Sequence, residues 1–158
     1  MNDDVILARL SELGIELPPA PKPVAAYVSV RLAGDTAYVA GQVPLVDGSV
    51  LYPGHLGGAD GVTAEQGAAA ARRAAIQALS ALRDALGGSL ERLVQLSQVT
   101  VYLATTPDFS EHPAVANGAS DLFVDVLGDA GKHARAAVGM SSLPLGASVE
   151  VTVTALIG

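Results

Sequence analysis

Cysteine and tryptophan are absent from this 158-residue chain, and aromatic residues make up only 4% of it. Without cysteine there are no disulfides, no thiolate metal sites and no cysteine nucleophile, which is compatible with a reducing compartment. With so few aromatics, packing must rest on Ala, Val and Leu, whose small side chains let helices lie close to a sheet. Positive charge is scarce as well. Nine Lys and Arg stand against 16 Asp and Glu, for a formal net charge of −7. That balance repels a phosphate backbone, and the basic residues are too scattered to form a patch, so nucleic acid is not an expected main partner. No run approaches the roughly 18 uninterrupted apolar residues of a membrane-spanning helix. The start, Met1-Asn2-Asp3-Asp4, is acidic where a secretory signal is basic. A cytoplasmic protein without a membrane partner is the expectation.

Familiar catalytic signatures are missing too: no Walker loop, no glycine fingerprint for dinucleotides, no paired-histidine metal helix and no nucleophile elbow. His55, His112 and His133 fall in three separate polar segments without ligand spacing. They read as surface histidines, and no metal is expected.

What is present is apolar: half of the residues are hydrophobic. That is enough for one domain over 1–158, with part of the burial expected to be completed by copies of the chain itself. Residues 1–23 read as an extension, in which Asn2 or Asp3 caps a short helix with Ile6, Leu10 and Leu13 on one stripe, Gly14 stops it, and the prolines from Leu17 to Pro23 extend the chain. Tyr27 to Leu32 and Thr36 to Gln42 predict a hairpin turning at Ala33-Gly34-Asp35. The glycine-rich stretch from Leu45 to Gly61 predicts a long loop holding at most a short strand at Ser49 to Leu51.

Thr63 caps a long helix with Ala68, Ala71, Ala75, Leu79, Leu82 and Leu86 at three- and four-residue steps, ended by Gly87-Gly88. From Leu93 to Ala104 the pattern alternates, with Val99, Val101 and Leu103 on one face and Gln98, Thr100 and Tyr102 on the other. A second helix is predicted from about Pro113 to Leu127, burying Val115, Leu122, Phe123 and Val126. Strands follow at Ala134 to Ser141 and Ala147 to Ile157, joined through Leu143-Pro144-Leu145-Gly146. This order makes an α+β domain: one mixed β-sheet with two helices on one face, and an opposite face of threonines, Tyr102 and Leu156 suited to a subunit contact.

One cluster carries chemistry. Arg135 opens a hydrophobic strand and Glu150 interrupts the valine alternation of the next. Both are costly there unless paired with each other, solvated at a sheet end, or exposed in a cleft.

Tyr27-Val28, Ala40-Gly41-Gln42-Val43-Pro44, Val99-Thr100-Val101-Tyr102-Leu103, Pro107-Asp108-Phe109, Asn117, and Arg135 through Leu143-Pro144 to Val149-Glu150 resemble the YjgF/RidA family of reactive-intermediate deaminases. The resemblance covers nearly the whole chain from Tyr27 onward. It implies a chorismate-mutase-like fold and a homotrimer with clefts between neighbouring subunits. It also implies hydrolysis of imine or enamine acids such as 2-aminoacrylate to 2-keto acids and ammonia, without metal or organic cofactor. Arg135 then clamps the substrate carboxylate and Glu150 positions or protonates the attacking water. Tyr27, Asn117, Ala137 and Gln42 line the same cleft, with Gly41 and Gln42 also shaping its border. The guanidinium is expected to be held and to point inward where two protomers meet.

The chain departs from the family pattern at Ala136-Ala137, where a serine or cysteine is common, and at Ser120, where a tyrosine is common. The extension and the 45–61 loop add to it. A non-catalytic module for small carboxylates is therefore the second reading. A ribonuclease is the third, and acidity speaks against it.

Overall fold

A computed structural model describes residues 2–20, 22 and 26–158. The elements are α1 (Asp3–Glu12), β1 (Val30–Ala33), β2 (Thr36–Gln42), β3 (Leu45–Val46), β4 (Ser49–Val50), α2 (Ala64–Ala85), β5 (Leu93–Ala104), α3 (His112–Leu127), β6 (Ala134–Met140) and β7 (Val149–Ile157). Five strands form one sheet in the order β1-β2-β7-β5-β6. Among the described strand pairs of this sheet, the β5–β6 pairing alone is parallel. A parallel neighbour needs a crossover, and α3 supplies it.

Periodicity and capping decide the helices. Thr63 and Gln66 form a reciprocal capping box at the start of α2, each side chain bonding the other's backbone N–H. That satisfies two of the N–H groups a helix start leaves free. The alanine stripe of α2, with Leu79 and Leu82, packs fully buried against α3 and the helix-side face of the sheet. There it meets Val99, Val101, Leu103, Val149, Val151 and Val153. Small residues permit the close approach: a methyl group on Gly118 of α3 would stand 2.0 Å from the Ala68 carbonyl oxygen of α2.

The opposite face carries Thr152 and Thr154 of β7, Thr100 and Tyr102 of β5, and Tyr38 of β2, all partly or well exposed in the single chain. The expected bare face is therefore present.

Several local expectations need correction. The first strand begins at Val30 and not at Tyr27: its ladder register with β2 runs over Val30 to Ala33, with one further bond from Ala40 N–H to Ser29 O, and the turn between them has Gly34 at φ 61°. Leu13 is exposed, whereas Ile6 and Leu10 are buried as the stripe requires. The 45–61 segment has the expected short strand, β4 at Ser49–Val50, but pairs it with an unexpected one, β3 at Leu45–Val46, in a hairpin. Leu56 is fully buried, and its backbone bonds Ala104 and Thr106. Tyr52 accepts from the buried Ser148 hydroxyl at 2.6 Å. Backbone bonds that no side-chain pattern encodes hold this segment on the end of the sheet.

The N-terminal extension is docked as well. Helix α1 lies against α3 and not on the sheet: Arg9 Nη1 donates to Val126 O at 3.2 Å, and Asp3 Oδ1 accepts from Leu90 N–H at 2.8 Å. The Ser80 hydroxyl of α2 donates to Pro18 O. Pro21 and Pro23 of the lead-in lie outside the described residues. Among the described residues, no helix is long and apolar enough to cross a membrane, and no group of three potential metal ligands converges.

Candidate functional site

Alternate residues of a strand leave opposite faces. In β6 this puts Arg135, Ala137 and Gly139 on the helix side, opposite Val99, Val101 and Leu103 of β5. β6 is the sheet edge, and α3 packs beside it on this side. Asn117 and Ser120 lie three residues apart on α3 and so share one helix face. Arg135 Nη1 donates to Asn117 Oδ1 at 2.8 Å and to Ser120 Oγ at 3.2 Å. Among the described residues, the Nε and Nη2 hydrogens of Arg135 have no partner. The guanidinium is thus held, although it is exposed in the single chain. Ala137 is half-buried beside it and packs on the core.

Past Ser120 the bonding continues. His133 Nδ1 lies 2.6 Å from Gly131 O, and its Nε2 lies 3.1 Å from Ser120 Oγ. The ring packs edge-on against Phe123, with centroids 5.8 Å apart. His133 is therefore no surface histidine, contrary to the sequence expectation. Burial, chiefly, and then the nearby Arg135 charge push its pKa below the usual 6.5, partly opposed by the bond to Gly131.

His112, at the start of α3, packs edge-on against Phe109 with centroids 5.3 Å apart. It also occupies the space that the missing side chain of Gly139 leaves, at the far end of the Arg135 row. His55 bonds Ser141 O at 2.7 Å and secures the 45–61 segment.

Glu150 lies elsewhere. It pairs with Tyr102, on the face opposite to Arg135, with β5 between β7 and β6. The mutual salt bridge considered from sequence therefore does not form in this chain. Burial alone pushes the Glu150 carboxyl above the usual 4.5. Its side chain sits over Gly41, beside an irregularity in β2 between Val39 and Gln42. Gln42 is buried and spends its amide N–H on Ala40 O at 2.9 Å, an interaction within its own strand. Tyr27 is 55% exposed and precedes β1, alongside the end of β2, at the sheet edge remote from Arg135.

The predicted site residues thus fall into two groups, candidate half-sites: Arg135, Asn117, Ser120 and Ala137 at the β6 edge, and Glu150 with Gly41 and Gln42 at the β2–β7 seam. Tyr27 lies apart from both, before β1. Sequence reasoning grouped them as one cluster and passed over the roles of Ser120 and His133. The signal for Ser120 was its three-residue spacing from Asn117. Nothing in the spacing of Ser120 and His133 announces their contact.

The profile of the family described as "YjgF/chorismate mutase-like, putative endoribonuclease" matches residues 7–156. The chain is 43% identical to the Trypanosoma cruzi protein TCP17 over 147 residues, covering 92% of this chain and 90% of that one. Among solved structures it is similar to Atu1372, a protein of unknown function from Agrobacterium tumefaciens, with 39% identity, a TM-score of 0.91, and coverage of 99% of this chain and 94% of that one. A Shewanella oneidensis protein with the same endoribonuclease description gives 33% identity, a TM-score of 0.90, and coverage of 96% and 99%.

Proposed function

Because the chain belongs to the YjgF/chorismate mutase-like family, we propose that it is a hydrolytic deaminase of reactive 2-imino and enamine acids, 2-aminoacrylate among them, working at clefts between copies of itself in a homotrimer. The observation that carries this reading is the state of Arg135. Asn117 and Ser120 occupy Nη1, and the Nε–Nη2 edge stays open for a carboxylate through two parallel charge-assisted bonds.

With the carboxylate clamped, the enamine tautomerises to the imine and water adds to C2. The resulting carbinolamine breaks its C–N bond, releasing ammonia and a 2-keto acid. One water is consumed per turnover, and no metal or organic cofactor takes part. The imine already reacts with water, so orientation and one proton transfer suffice. Glu150 of a neighbouring copy supplies the proton to the leaving nitrogen, and the upward push on its pKa suits it to hold one. A second copy is needed because the two half-sites face away from each other within one chain.

The test couples a 2-aminoacrylate generator to the purified protein and follows imine decay. Acceleration that Arg135→Ala abolishes is expected. Pyruvate binding that depends on Arg135, without acceleration, would replace the enzyme by a carboxylate-binding module. That second reading is favoured by Ala137, which shares the face of Arg135 and brings no hydroxyl or thiol beside it. Neither acceleration nor binding removes both. The endoribonuclease description belongs to relatives, and a net charge of −7 opposes it here.

A further inference from the structure

The bonds from Gly131 to Arg135 form one continuous chain whose polarity is settled at one end. A backbone carbonyl can only accept, so His133 Nδ1, 2.6 Å from Gly131 O, carries the ring proton. In the neutral imidazole, Nε2 is then an acceptor, and the Ser120 hydroxyl 3.1 Å away donates to it. Its hydrogen being spent there, Ser120 Oγ turns its lone pairs to Arg135 Nη1 at 3.2 Å. We infer that Ser120 and His133 are positioning residues for the Arg135 guanidinium, and that protonation of His133 weakens the carboxylate grip. The second half rests on the reading of Arg135 as the anchor.

Once protonated, Nε2 becomes a donor. Ser120 Oγ then turns its own hydrogen away and accepts from two cationic donors, and the like charges of imidazolium and guanidinium repel across that one oxygen, which loosens the Nη1 bond that fixes the fork. The other charged groups near the ring do not supply this coupling. Asp129 and Lys132, on the turn before β6, are exposed and paired with each other at 2.7 Å. Helix α3 presents Ser120 and Phe123 to the ring, while its Asp121 is exposed and its Asp125 faces Arg72 at 3.8 Å. Strand β5 has no charged residue. The downward push on the His133 pKa keeps the ring neutral at ordinary pH, the state in which the chain of bonds is complete.

Two measurements separate this inference from the functional reading. Nitrogen-15 NMR of the imidazoles reports tautomer and titration directly. His133 should be the Nδ1–H tautomer, and Ser120→Ala should shift its Nε2 resonance. An Nε2–H tautomer, or an Nε2 resonance indifferent to Ser120→Ala, would overturn the relay whatever the protein binds.

Pyruvate affinity by calorimetry gives the functional arm. The wild type should bind about ten-fold more weakly once His133 is protonated, the scale of one charge-assisted bond. Ser120→Ala and His133→Phe, which keeps a ring against Phe123, should bind weakly throughout and lose that step. A step unchanged in both variants sinks the inference. If the wild type binds no pyruvate at any pH, the anchor reading and the pH control of grip fall together, and positioning of the guanidinium is judged on the NMR arm alone.

Discussion

A methyl group on Gly41 would stand 1.9 Å from Oε1 and 2.7 Å from Cδ of Glu150, so the carboxylate occupies space that glycine alone leaves free. Gly41 belongs to β2 and Glu150 to β7, neighbouring strands whose register slips between Val39 and Gln42. The Gly-Gln pair of the sequence is thus a seat for the acid, with Gln42 bracing the irregular strand through Ala40 O.

Gly41→Ala tests that seat. The clashing atoms are the far end of a side chain that can rotate away, so the stability cost should stay near about 1 kcal/mol. The carboxylate, however, must leave its place. Imine hydrolysis should therefore fall far more than denaturant stability, and a crystal structure should show Glu150 in a new rotamer. Full activity with Glu150 displaced would remove the acid from the chemistry.

Gly118→Ala tests the helix packing that positions Asn117 and Ser120. Here the obstacle is the backbone of Ala68, 2.0 Å from the added methyl, and backbone cannot rotate aside. A loss of about 2–3 kcal/mol in urea unfolding is expected, the scale of overpacking in a rigid contact. A neutral outcome would mean that α2 and α3 slide apart without consequence.

Glu150→Gln should show a pH signature. A carboxyl whose folded pKa is raised keeps its proton in the folded state where the unfolded chain has lost it. Stability therefore falls as pH rises from the ordinary 4.5 through the higher folded value. The variant lacks this loss. At fixed protein concentration, unfolding should show the variant gaining on the wild type as pH climbs above 4.5, with a constant difference below it. A gap that widens towards acid would reverse the sign and refute the burial account.

Arg135→Lys separates charge from shape. Lysine keeps the positive charge but offers no planar fork, and it cannot donate to Asn117 and Ser120 while leaving a second edge open. Pyruvate affinity should drop at least about ten-fold, close to that of Arg135→Ala. Near-normal affinity would show that charge alone binds the acid.

Thr152→Arg probes the bare face. Thr152 pairs with Thr100 near its middle, so a buried arginine there would meet its copies without partners. Light scattering should give the wild type three times the mass of one chain, and the variant the mass of one. A wild type that already runs as a single chain would defeat the inter-copy cleft.

Much of the fold was legible because its signals are local. The capping box at Thr63 and Gln66, the alanine stripe of α2 and the strict alternation of β7 each bury one side only. The docking of residues 45–61 was not legible, since it runs through backbone bonds such as Leu56 N–H to Ala104 O. Nor was the face taken by Arg135. Its strand, Ala-Arg-Ala-Ala-Val-Gly-Met, carries small residues on both sides and so has no side that must be buried.

The sequence by itself determined the long helices, the main strands and their order, because hydrophobic period, caps and turn residues act over a few neighbours. It also determined that one arginine and one glutamate stand out from apolar strands. Only the tertiary structure decided that these two face opposite ways, and that Ser120 and His133 join the arginine. The reason is physical: β6 pairs parallel to β5 after the α3 crossover, whereas β7 pairs antiparallel on the other side of β5. Register across strands, rather than spacing along the chain, sets which face each side chain takes.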